Sequence, residues 1–150
     1  MKRFTFTLRP VAVLRAHAER RARELLAVAV GKYVKAEESL ALARSRSQEL
    51  ERILFAGRRE RFRASDEASF FHAYRKECAV EIAAQKEVIV ARTEMENARR
   101  LCIEANKALK VIGKLEEHAR ASYRVETLKS EQAEFDEMAT QRIVRRQFQS

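Results

Sequence analysis

The chain has almost nowhere to turn. Across 150 residues it holds one proline, Pro10, and three glycines, Gly31, Gly57 and Gly113. Asparagine occurs at Asn97 and Asn106, and aspartate at Asp66 and Asp136. Compact all-β and α/β domains need many tight turns, and those turns draw on these four residue types. Alanine, glutamate, arginine, lysine and leucine dominate instead, which is the composition of long helices. Charged residues make up 35% of the chain, too many for a large globular core. They are also too evenly interleaved with apolar residues for simple disorder.

The apolar pattern is helical. After Pro10, Val11, Leu14, Ala18, Ala22, Leu25, Ala29, Tyr33, Ala36, Leu40, Ala43, Ser47, Leu50 and Leu54 follow one another by threes and fours. From Tyr33 onward the alternation is strict, as in the a/d seam of a left-handed coiled coil. Before Tyr33 the fours come in pairs, giving an eleven-residue period and predicting local unwinding of the supercoil. The alanines in the seam predict a close approach of two helices. The pattern breaks over residues 57–66, GRRERFRASD. Gly57 reads there as a helix stop, and Ser65 as an N-cap with Asp66 and Glu67 against the positive helix end. A second seam runs through Ala91, Met95, Ala98, Cys102, Ala105, Leu109 and Ile112. Near Gly113 its phase slips, and a stripe resumes at Val125, Leu128, Phe135, Met138 and Ala139.

The expected fold is therefore all-α: a long two-helix antiparallel coiled-coil hairpin with a C-terminal single-helix extension. It forms one elongated domain over 1–150, with helix one about 9–56, the turn 57–66 and helix two about 67–146. Residues 4–8, FTFTL, alternate apolar and polar and read as a short extended arm. With the chain folded back near residue 61, residue i faces roughly residue 122 minus i, so Val11 lies opposite Val111. The paired part then spans about 65–70 Å, and residues 113–150 have no partner from helix one. The stripe they carry needs a cover, whether a partner protein or a second copy, or else the tail frays.

The formal net charge is +9. Residues 1–60 carry 14 Lys/Arg against 7 Asp/Glu, and residues 61–150 carry 17 against 15, so the excess sits in the first helix. Such charge suits an acidic protein surface, an anionic lipid or nucleic acid, or simply a solvated helix. Cys78 and Cys102 would lie about 36 Å apart on one helix, too far for a disulfide, and both fall among apolar residues. Buried thiols and a reducing compartment follow. The longest apolar run, Leu25 to Val30, is far too short to cross a bilayer, and no secretory signal is visible.

Nothing in the sequence supports catalysis. The glycines are too dispersed to cradle a phosphate. His17, His72 and His118 are remote from one another, so no metal site and no cofactor is expected. No nucleophile–base pair can be argued, and a helical pair offers no cavity to desolvate one. One cluster is distinctive. Phe55, Phe62, Phe70, Phe71 and Tyr74 gather at the turn beside Arg58, Arg59, Arg61 and Arg63. Mixed rings and arginines can stack on single-stranded nucleic acid, dock on an acidic protein groove, or merely cap the open end of a coil. The basic residues form no dense tract, so nucleic-acid binding is the alternative reading and not the expected one.

Three stretches carry a recognisable pattern: RFTFTLRPVAVL at residues 3–14, AEESL at 36–40, and KLEEHARASYRVETLKSEQAEFDEMATQRIVRR at 114–146. Together with the loop and the aromatic-bearing second helix, they resemble the flagellar export protein FliJ family over nearly the whole chain. EQAEFDEMATQR, Glu131 to Arg142, is the least generic part. The resemblance implies a non-enzymatic cytoplasmic stalk or adaptor of a flagellar type III export apparatus, peripheral to the membrane through its partners only. Those partners would be a hexameric export ATPase, the cytoplasmic part of the export gate, and export chaperones. The equivalent stalk of a virulence type III secretion system fits the same physics.

Under that resemblance, two surfaces are expected. Arg15, Arg20, Arg21 and Arg23, with the stripe Val125, Leu128, Phe135 and Met138, would engage the ATPase. Charge would steer the approach and the stripe would supply apolar contact. Leu50, Leu54, Phe70, Phe71, Tyr74 and Cys78, at and behind the turn, would face the export gate.

Overall fold

A computed structural model describes residues 3–148. Two helices make up the described chain, α1 at Arg9–Arg59 and α2 at Ala64–Phe148. They pack antiparallel as a helical hairpin, so the fold is all-α as the composition requires. By contacts the chain divides into two units, one formed by Arg20–Glu104 and one by the described residues of Met1–Glu19 and Ala105–Ser150.

In the Arg20–Glu104 unit the core is thin and rich in alanine. Leu40 and Ala43 of α1 pack with Ala84 and Val88 of α2, flanked by Tyr33 and Ala36. Paired alanines leave little side-chain bulk between the backbones, which is how a two-helix layer fills its seam without a larger core. Some polar groups in the seam are paired, whereas the buried Oε2 of Glu77 has no hydrogen-bond partner among the described residues. Ser47 is buried and its hydroxyl donates to Glu81 Oε2 at 2.9 Å, while Arg44 lies 3.5 Å from Glu81 Oε1. Arg92 donates to the Tyr33 hydroxyl at 3.3 Å, and that bond raises the Arg92 guanidinium above its ordinary pKa.

The seam of α1 differs from its expected course before Ala29. Leu14, Ala18 and Leu25 are exposed, Leu14 to 69%. The inward positions are Arg15, Glu19, Ala22 and Leu26, which continue the strict three–four alternation back from Ala29. No eleven-residue period is present in the burial pattern. Ala18 and Leu25 each stand next to the true inward residue, so an apolarity count picks the wrong neighbour where Glu19 fills a seam position.

The turn is shorter than expected. Glu60–Arg63 join the helices, and α1 runs through Gly57 to Arg59. Gly57 is therefore no helix stop. The left-handed residue is Arg61, at φ 59°, and the Phe62 N–H donates back to the Gly57 carbonyl at 3.1 Å. This is a Schellman closure with arginine in the place that glycine usually takes. The Phe62 ring lies against Gly57, in the space a Cβ there would occupy. Ser65 is likewise no N-cap. The Arg63 carbonyl accepts the first helical bonds of α2, from Asp66 and Glu67, and Ser65 sits inside the first turn. A non-glycine residue in the left-handed region costs about 1 kcal/mol. Arg61→Gly is thus expected to stabilise the fold by about 0.5–1 kcal/mol, read as a higher denaturant midpoint with unchanged slope.

In the other unit, α1 pairs further along α2 than the expected register. Arg15 reaches Ala108 and Arg9 reaches Glu116. Val111 is exposed and its neighbour Ile112 is buried, so Val11 and Val111 are not opposed across the seam. The seam does not slip at Gly113 but continues through Glu116, Ala119 and Tyr123. The stripe from Val125 onward is a different face of the same helix. Beyond Glu131, every described residue of α2 is exposed.

Candidate partner-binding surfaces

The N-terminal arm is the first surprise of this unit. Phe4 and Phe6 are half-buried while Thr5 and Thr7 are exposed, so the alternation in FTFTL does orient the arm. The Phe4 ring meets Tyr123 at 5.4 Å between centroids, tilted by 55°. The Arg120 guanidinium stands 5.4 Å above the same ring, a cation–π contact. Arg120 also donates to Glu116 at 3.1 Å, and Arg9 reaches the same Glu116 oxygen at 3.2 Å. The arm thereby covers α2 as far as Tyr123, past the point where cover was expected to end.

Beyond that cover, Val125, Leu128, Phe135 and Met138 stand in solvent, with Leu128 at 64% and Phe135 at 68% exposure. These four keep the accessibility that a binding face needs. Arg15 does not. It is half-buried, and its guanidinium donates to the Ala108 carbonyl at 3.1 Å, tying α1 to α2. Arg20, Arg21 and Arg23 belong to the Arg20–Glu104 unit, where all three are exposed.

The expected gate-facing set divides sharply. Leu54 is buried, and Leu50, Phe70, Tyr74 and Cys78 are half-buried along the seam. Phe70 packs edge-on against Phe62 at 5.4 Å. The neighbouring Cys78 thiol is the main cause of the raised Tyr74 pKa. Phe71 alone of the six is exposed. Phe55, part of the aromatic cluster at the turn but not of the expected gate-facing set, is exposed on α1 beside Arg52 and Arg59. Its signal was its place one residue past Leu54 in the seam: a residue just after an a position points off the interface. Arg58 is held by Glu67 at 3.1 Å, which closes one side of the turn.

Among the described residues, no group of three or more His, Cys, Asp or Glu side chains could hold a metal ion. No helix there is long and apolar enough to cross a membrane. Cys78 and Cys102 are free and half-buried.

Compared with known protein families, residues 4–148 match the family described as Flagellar FliJ protein. The chain belongs to the FliJ family. Searches of curated proteins and of solved structures found no match. FliJ-family proteins are not enzymes, and the fold suits a non-enzymatic stalk component of type III export. Proteins of the family interact with the export ATPase and the export gate. In this FliJ-family chain the exposed candidates for such contacts are Val125, Leu128, Phe135 and Met138 in one unit, and Arg20, Arg21, Phe55 and Phe71 in the other.

Proposed function

We propose that this chain is the stalk and adaptor of a flagellar type III export apparatus, inserting into a hexameric export ATPase and contacting the export gate. It would act in the cytoplasm, held at the inner membrane through its partners, with export chaperones as further ligands. The observation that carries this reading is the FliJ-family match over residues 4–148, on a chain that is one antiparallel pair of helices. The apolar face at Val125, Leu128 and Phe135 supports a protein ligand, because large rings and leucines left in water on one helix face gain most from being covered. In this reading that face and Arg20, Arg21 and Arg23 serve the ATPase. Phe71 serves the gate, together with what the half-buried Leu50, Phe70, Tyr74 and Cys78 leave accessible. The equivalent stalk of a virulence secretion system is the same proposal in a different machine, and co-purification with each ATPase distinguishes the two.

The test is ATP hydrolysis by the purified export ATPase with and without the chain. Wild type is expected to stimulate it. Leu128→Glu with Phe135→Glu is expected to lose that stimulation while keeping helicity, because neither residue touches the seam. Reversal of Arg20, Arg21 and Arg23 to glutamate is expected to slow association more than it weakens the complex. Normal stimulation by both variants would overturn the assignment of these surfaces. The alternative is a nucleic-acid-binding coil, favoured by exposed Phe55 and Phe71 near Arg59, Arg61 and Arg63. Binding to single-stranded RNA or DNA with a steep salt slope, lost in Phe55→Ala with Phe71→Ala, would support it.

A further inference from the structure

The Arg20–Glu104 unit has an open groove of ≈ 450 Å³ along one side of the helix pair. Ala36 and Ala91 form its floor, and Val90 is exposed beside them. Lys32 and Lys35 on α1 and Lys86 on α2 line it, with Glu87 and Glu94 on α2. No ion pair engages Lys32, Lys35 or Lys86 among the described residues.

The groove extends beyond this stretch. One heptad before Lys32 and Lys35 stand Leu25 and Val28, and one heptad after Lys35 stands Leu42. On α2, Val80 lies one heptad before Glu87 and Leu101 one heptad after Glu94. Heptad-spaced residues repeat the same side of a coiled coil, so these five apolar residues line the same side as Val90. All of them are exposed. Leu25 and Leu101 close one end, Leu42 and Val80 the other, over about 30 Å. Two parallel rows of apolar side chains flanking an alanine floor make the surface into which the knobs of a third helix fit.

We propose that this groove is the docking site for an amphipathic helix of a partner protein, about three heptads long, with an apolar stripe flanked by acidic residues. Charge selects the occupant. Three lysines without ion pairs stand at the middle of the groove, against Glu87 and Glu94, so carboxylates flanking the incoming stripe would meet ammonium groups already in place. A basic helix would meet like charge at the same positions. This inference stands apart from the proposed function, since Leu128 and Phe135 are not in the groove.

The test uses the full chain and a fluorescein-labelled synthetic helix of three heptads, hydrocarbon-stapled so that it is monomeric, with one leucine stripe flanked by glutamate. A matched helix flanked by lysine and a scrambled glutamate peptide serve as controls. Anisotropy is expected to show the glutamate helix binding roughly tenfold tighter than either control. Val90→Glu and, separately, Leu101→Ser are expected to weaken it roughly tenfold, while Phe135→Glu leaves it unchanged. Lys32→Glu with Lys35→Glu is expected to transfer the preference to the lysine helix. Circular dichroism checks that each variant keeps its helicity, and the exposed Leu101→Ser change keeps the test open should Val90→Glu unfold. Equal binding of the two charged helices, no binding at all, or binding indifferent to Val90 and Leu101 would overturn the proposal. So would a concentration-dependent dimer in sedimentation equilibrium that Val90→Glu abolishes, because the groove would then belong to a second copy.

Discussion

Leu40→Ala is expected to destabilise the fold by about 3 kcal/mol. Leu40 is one of the most buried aliphatic side chains in an alanine-rich seam, and it packs with Ala43, Ala84 and Val88. Removing it takes away about three buried carbons, and the thin layer offers no neighbour to fill the gap. Flanking Tyr33 is tied to Glu37 at 2.7 Å and to Arg92, so its ring is not free to swing inward. The measurement is equilibrium denaturation followed by circular dichroism at 222 nm. The midpoint should fall while the helical signal before unfolding stays near wild type. Leu42→Ala is the control. It lies two residues away on α1 but is exposed, so it should shift stability by less than about 0.5 kcal/mol. Equal effects from Leu40 and Leu42 would refute the seam described above.

The second large effect is at the turn. Gly57→Val is expected to cost about 2 kcal/mol, although position 57 is helical and glycine is ordinarily a poor helix residue. A side chain there would occupy the space of the Phe62 ring, so the ring must leave. Its departure removes the edge contact with Phe70 and the apolar lid of the Schellman closure. A double-mutant cycle isolates the cause. In a Phe62→Ala background, Gly57→Val should cost much less, because the obstacle is gone. Additive effects would place the cost in the backbone and not in the ring.

Scarcity of turn residues, length and the three–four alternation were enough to specify an all-helical hairpin reversing within residues 57–66. From Ala29 onward they also placed the inward residues of α1 correctly, because there the apolar positions and the seam coincide. They failed where polar side chains occupy the interface. Arg15, Glu19 and Glu116 sit at inward positions, and no hydrophobicity count would choose them over Leu14, Ala18 or Leu115. The apparent slip at Gly113 had the same origin: the seam continued in polar and small residues while a second apolar stripe began on another face.

Candidate surfaces were legible to the extent that they lay outside the paired region. Val125, Leu128, Phe135 and Met138 could be read as exposed, because α1 is too short to reach them. The turn cluster could not be sorted. Whether a ring there packs or projects depends on the rotation of each helix about its axis, and that is set by the closure at Arg61 and the seating of Phe62 on Gly57. Hence Phe70, Tyr74 and Leu54 turned inward while Phe71 and Phe55 faced out.

By itself, then, the sequence determined the helical class, the single reversal and the existence of a seam, since these follow from local propensity and period. Only the tertiary structure decided the register between the helices, the pinning of the arm by Phe4, Tyr123 and Arg120, and the groove between Lys32 and Val90. The physical reason is that register depends on which of several near-equivalent pairings buries most. Where alanines recur every third or fourth place, sliding one helix costs little apolar area. The choice then falls to a few polar and aromatic contacts between residues far apart in the chain: Arg15 with the Ala108 carbonyl, Ser47 with Glu81, and Arg9 with Glu116.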